Sequence, residues 1–132
     1  MTFDAQAIFA NLAEKERVHG HHSAEGRAIR TLSRALTGWS AGNLAADDVI
    51  VLCDQAIEDW LKARLKVSAW AATGLRQLLA AAVAMELITP VDLIQLQTVH
   101  DLRAHSTPDA IAADEVEAAL KWTVEIVERH WS

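Results

Sequence analysis

The sequence predicts an all-α protein, an up-and-down antiparallel helical bundle with a four-helix core and added N-terminal helices. Three observations carry that expectation. The chain of 132 residues is 52% apolar, with alanine and leucine dominant, no Tyr and two prolines, an alphabet of helix formers with few β-branched runs. Apolar residues recur at three- and four-residue steps along most of it. Short polar or glycine-bearing stretches separate the periodic segments, and short connections make neighbours antiparallel.

The elements follow in order. A first helix is expected from Asp4 to Val18, with Ile8, Phe9, Leu12 and Ala13 on one face and a charged end at Glu14-Lys15-Glu16-Arg17. His19-Gly20-His21-His22-Ser23 interrupts it. A second segment runs to Thr37, with Ile29, Leu32 and Leu36 on one face, and Gly38 reads as its terminator. Trp39 to Asn43 reads as a loop. The third segment, Asp48 to Lys66, is the clearest: Ile50, Cys53, Ile57, Trp60, Leu61 and Leu65 form its apolar stripe. Asp47 and Asp48 suit the positive end of a helix dipole, and Glu58 and Lys62 stand four apart, the spacing of a surface ion pair.

Val67 to Thr73 reads as a connection. Leu75 to Leu87, apolar all round through Leu78, Leu79, Ala82, Val83 and Met85, is expected to be central to the bundle. Thr89-Pro90 opens a fifth helix, because Thr caps well and Pro is favoured at the first helical position. Its inward face is Leu93, Leu96, Val99 and then Leu102 or Arg103. After a turn at Ser106 to Asp109, the last helix runs from Ala112 to Trp131 on a stripe of Val116, Ala119, Leu120, Thr123, Val127 and Trp131.

This length suits one domain, residues 1–132. No apolar run approaches the roughly 20 residues needed to cross a bilayer, and MTFDAQAIFA lacks the features of a signal peptide. A cytoplasmic protein is expected. Cys53 is the sole cysteine, so no internal disulfide forms, and its apolar stripe makes it a buried small hydrophobe rather than a reactive thiol. The net charge of −6 argues against broad nucleic-acid binding, which needs a positive surface. It leaves room for a small local site for RNA; DNA is not expected as a partner.

Three clusters bear on chemistry. His19, His21 and His22 are close enough for a transition metal, yet no Cys and no His-x-x-x-His pair completes a zinc set, so they read as a solvated turn with no metal. The carboxylates Asp47, Asp48, Asp54, Glu58 and Asp59 lack the Glu-x-x-His elements of a di-iron bundle and read as the wet side of an amphipathic helix. The third cluster, His100-Asp101-Leu102-Arg103-Ala104-His105, places an imidazole, a carboxylate and a guanidinium within one helical turn. Those are the parts for proton transfer and phosphate binding; the alternative is that Asp101 and Arg103 only cap and solvate a helix end, where His and Arg are favoured.

The stretch Asp54-Gln55-Ala56-Ile57-Glu58-Asp59-Trp60-Leu61-Lys62-Ala63-Arg64-Leu65, then Leu75 to Pro90, then Leu93 to His105 and the helix opening at Asp114-Glu115-Val116 resemble in order the HEPN family of small helical bundles. The resemblance spans Asp47 to Trp131. It implies a HEPN-like core over 43–132 and leaves 1–42 as an N-terminal helical extension. In the family's signature a Leu-rich helix ends in Arg, a polar residue often Asn, a short spacer and His. Counting back from His105, the Arg position falls on His100 and the Asn position on Asp101, with Arg103 inside the spacer.

The resemblance implies a homodimer and a metal-independent ribonuclease of the toxin–antitoxin or defence kind, needing no cofactor. RNA or an antitoxin-like protein would be the partner. The altered motif implies a non-catalytic or weakly active member. If RNA is cleaved, His105 is the base or acid, His100 and Arg103 contact the phosphate, and Asp101 orients a His. The alternative is a protein-interaction or small-ligand-binding module without activity, with a groove built from Trp60, Trp70 and Arg76.

Overall fold

A computed structural model describes residues 10, 14, 24–67, 74–105 and 111–129. The expected first helix apart from Ala10 and Glu14, the His19–His22 turn, Trp70, the 106–109 turn and Trp131 lie outside the described residues. Within them the chain is all-helical: α1 (Ala24–Ser40), α2 (Ala46–Leu65), α3 (Leu75–Ala84), α4 (Pro90–His105) and α5 (Ala113–Arg129).

The helix α2 is the hub. It contacts each of the other four helices, and Val49, Ile50, Cys53, Ala56, Ile57, Trp60 and Leu61 on it are buried. One apolar cluster joins these residues to Ile29, Leu32 and Leu36 of α1, Leu78 and Leu79 of α3, Leu96 and Val99 of α4, and Val116, Leu120 and Val127 of α5. Thus α1 shares the core of the helices that follow it. The expectation that the Leu75 helix is central does not hold, because it ends at Ala84 and buries only Leu75, Leu78, Leu79 and Ala82. Met85 is 62% exposed. A helix this short and rich in alanine carries its small residues to the solvent side without penalty, so an all-apolar sequence did not require burial on every face.

Three helices end in the same way. The residue after the last turn takes a left-handed backbone, at Gly42 (φ 73), Lys66 (φ 59) and Glu86 (φ 59). In each, its N–H and the next one bond back to orphan carbonyls: Gly42 to Trp39 and Asn43 to Gly38, Lys66 to Ala63 and Val67 to Lys62, Glu86 to Val83 and Leu87 to Ala82. This is the Schellman arrangement. It also corrects the reading of Gly38 as a terminator, since α1 runs through it to Ser40. Glycine is needed at 38 for another reason: a Cβ there would collide with the Leu44 side chain folded back over the helix end.

The start of α4 is as expected. Thr89 Oγ1 accepts from the Asp92 N–H at 3.1 Å, and Asp92 Oδ2 accepts from the Thr89 N–H at 3.0 Å, a reciprocal capping box. At α5 the Ala112 N–H donates to Glu115 Oε1 at 3.1 Å. The Thr89–Asp92 box fixes where α4 begins, and so which of its residues face α2.

Candidate functional site

Asp54 stands in the middle of α2, and its side chain is only 4% exposed. It lies four residues after Ile50 and three before Ile57, inside the register of the apolar stripe, and so faces the interior. A buried carboxylate needs charge-assisted partners, and α4 supplies two from a single turn. His100 Nδ1 lies 3.0 Å from Oδ1 and 3.2 Å from Oδ2. Arg103 Nη1 donates to Oδ2 at 2.7 Å. Their i, i+3 spacing puts both side chains on the face of α4 that meets α2.

An ionised carboxylate only accepts hydrogen bonds, so the His100 Nδ1 facing it carries the hydrogen. The other ring nitrogen, Nε2, is then the one that exchanges protons. The His100 side chain is 28% exposed and that of Arg103 43% exposed, so both reach the surface from a buried anchor. An imidazole held at Nδ1 by a buried carboxylate is the arrangement of an oriented general base.

Asp101 does not share this contact. It faces Arg76 of α3, with Arg76 Nη2 donating to its Oδ1 at 3.3 Å, and the two side chains are 68% and 49% exposed. The orienting carboxylate is therefore Asp54, which sequence reasoning placed among the wet carboxylates, while Asp101 serves Arg76. His105 closes α4, and its side chain lies outside the described residues. Of the expected cluster, His100 and Arg103 come together on Asp54.

Next to Asp54, Cys53 is fully buried and free. Burial pushes its thiol up to about 12, against a lowering hydrogen bond with Thr123 and with a further rise from the Asp54 charge. It is a packing residue, as its register predicts. Asp59 is also pushed up, chiefly by desolvation, with the Arg27 charge opposing. The Glu58–Lys62 pair forms at 3.5 Å. Trp60, 1% exposed, belongs to the core.

A second feature lies on the outer side of α4. Val91 and Ile94 are 63% and 64% exposed. Further along, Thr98 and Leu102 join Asp114, Glu115, Ala118 and Trp122 of α5 around a cleft of about 230 Å³. Among the described residues no group of three or more His, Cys, Asp or Glu is placed to hold a metal. No helix among them is long and apolar enough to cross a membrane.

Comparison of the chain with protein-family models, with curated proteins and with solved structures finds no match.

Proposed function

We propose that this chain is a HEPN-like, up-and-down antiparallel bundle with weak, metal-independent ribonuclease activity of the toxin–antitoxin or defence kind. In this reading it acts as a cytoplasmic homodimer. One observation supports the chemistry above all: buried Asp54 holds His100 by Nδ1 and leaves Nε2 for proton transfer. His100 removes the proton of an RNA 2′-hydroxyl. The O2′–P bond forms, the P–O5′ bond breaks, and His105 returns a proton to the departing O5′. The products are a 2′,3′-cyclic phosphate and a free 5′-hydroxyl. No redox partner is needed, and no metal takes part in the step.

The same contact accounts for weakness. Asp54 takes up much of the Arg103 charge at 2.7 Å, so this guanidinium stabilises a developing phosphorane less than an unpaired one would. The test is incubation of purified protein with unstructured RNA in excess chelator, followed by end-group analysis. Cyclic-phosphate ends that vanish in His100→Ala support the reading. RNA left intact by wild-type protein, or the same ends from His100→Ala, overturns it.

A second reading, a protein-interaction module without activity, is favoured by the exposed Val91 and Ile94 on α4. Loss of a copurifying partner on Ile94→Lys, with RNA untouched by wild-type protein, would support it over the first.

A further inference from the structure

Five charged or titratable side chains from three helices meet around one turn of α4. Arg103 and His100 rest on Asp54, and Asp101 rests on Arg76. Around α4, steps of 100° per residue set Arg103 on one side of His100 and Asp101 on the other. Asp101 thereby brings the Arg76 guanidinium from α3 to the side of His100 opposite Arg103. The two guanidinium groups paired to this stretch of α4 and its anchor differ in freedom. Arg103, itself 43% exposed, is bonded at 2.7 Å to a carboxylate 4% exposed, and a short charge-assisted bond to a buried carboxylate holds strongly. Arg76 is paired at 3.3 Å in the open, 68% exposed, with a carboxylate 49% exposed, where exchange costs little.

From this difference we infer that Arg76 is the residue that binds the phosphate of an RNA strand at this site, and that Asp101 holds it beside His100 until a phosphate oxygen displaces the carboxylate. The inference rests on the ribonuclease reading for its substrate. The chemistry shared with other ligands is a phosphate oxygen. A guanidinium suits it because it donates to two oxygens at once. Asp101 then has two opposed effects: it places Arg76 correctly, and it competes with the phosphate.

That competition gives the test an unusual sign. The probe is a labelled 2′-O-methyl RNA strand, which binds but has no 2′-hydroxyl to attack, titrated with full-length protein in chelator. Arg76→Gln weakens binding, and Asp101→Asn tightens it, each by about threefold to fivefold, the scale of one exposed charge contact. In the Arg76→Gln background Asp101→Asn loses most of its effect, because no guanidinium remains to be released. Both residues are exposed, so circular dichroism and melting temperature stay near wild type. Weakening by both variants marks a merely structural ion pair and overturns the inference. So does an equal gain from Asp101→Asn with or without Arg76, which marks general electrostatics.

Inorganic phosphate in a parallel titration separates the sources. Tight binding of the free ion with the same variant pattern, and none of the strand, overturns the assignment to RNA. The ribonuclease reading fails separately. If the 2′-O-methyl strand follows the predicted pattern while ordinary RNA stays intact, Arg76 binds phosphate as inferred and the cleavage reading falls. If ordinary RNA is cut and Arg76→Gln changes neither binding nor rate, only the role of Arg76 falls.

Discussion

Truncating both side chains that rest on Asp54 should cost more than the two single truncations together, and removing Asp54 as well should restore stability. Arg103 and His100 are 43% and 28% exposed, whereas the Asp54 side chain is 4% exposed. Arg103→Met or His100→Ala alone leaves the carboxylate one partner, and each loses about one hydrogen bond's net worth, roughly 1 kcal/mol. Together they strand a buried charge, for which the cost is about 3–5 kcal/mol. Adding Asp54→Leu replaces that charge with an apolar group in an apolar register, and most of the loss returns. The assay is urea unfolding followed by circular dichroism, with slopes checked for constancy. A triple variant no more stable than the double, or a double equal to the sum of its singles, would refute the claim that Asp54 is a buried charge dependent on these two partners.

Other outcomes follow from the same structure. Lys66→Gly and Glu86→Gly should each stabilise the chain by about 0.5–1 kcal/mol, because both residues adopt left-handed backbones at φ 59 that favour glycine; thermal melting checks this. Thr89→Ala removes one half of the α4 capping box and should cost about 1 kcal/mol in urea unfolding. Cys53 has a folded pKa raised to about 12 from 9.0. A raised value means the folded state holds its proton longer, so its stabilising contribution is complete below pH 9.0 and is lost as pH rises towards 12. Cys53→Ala should therefore flatten the alkaline limb of stability against pH, a limb to which tyrosine adds nothing because the chain has none.

Much of the fold was legible because the determining signal is local. The α2 stripe of Ile50, Cys53, Ile57, Trp60 and Leu61 is buried as its spacing implies, and Thr89-Pro90 starts α4 through its own side-chain bonds. What was missed depends on tertiary surroundings. Asp54, Glu58 and Lys62 step by four and look like one wet face, but α2 has neighbours on several sides, and Asp54 and Lys62 are both buried. The signal for Asp54 was present in its register between Ile50 and Ile57. A carboxylate at an apolar position points to hydrogen-bonding partners elsewhere in the chain, here His100 and Arg103. Arg76 was expected only in a ligand groove, and its pairing left no comparable trace, since the link to Asp101 spans 25 residues and needs α3 and α4 to be docked. Gly38 misled for a related reason: its role is contact with Leu44, while the backbone reversal belongs to Gly42.

The central claim is that His100, oriented by Asp54, moves the proton when RNA is cut. Its most direct test is the initial rate of RNA cleavage in excess chelator for wild type, His100→Gln and Asp54→Asn, each verified as folded by circular dichroism. The account predicts a fall of about a hundredfold or more for His100→Gln, the scale of a lost general base, and a clear fall for Asp54→Asn, in which His100 remains but its orienting charge is gone. Rates for both variants equal to wild type would contradict it.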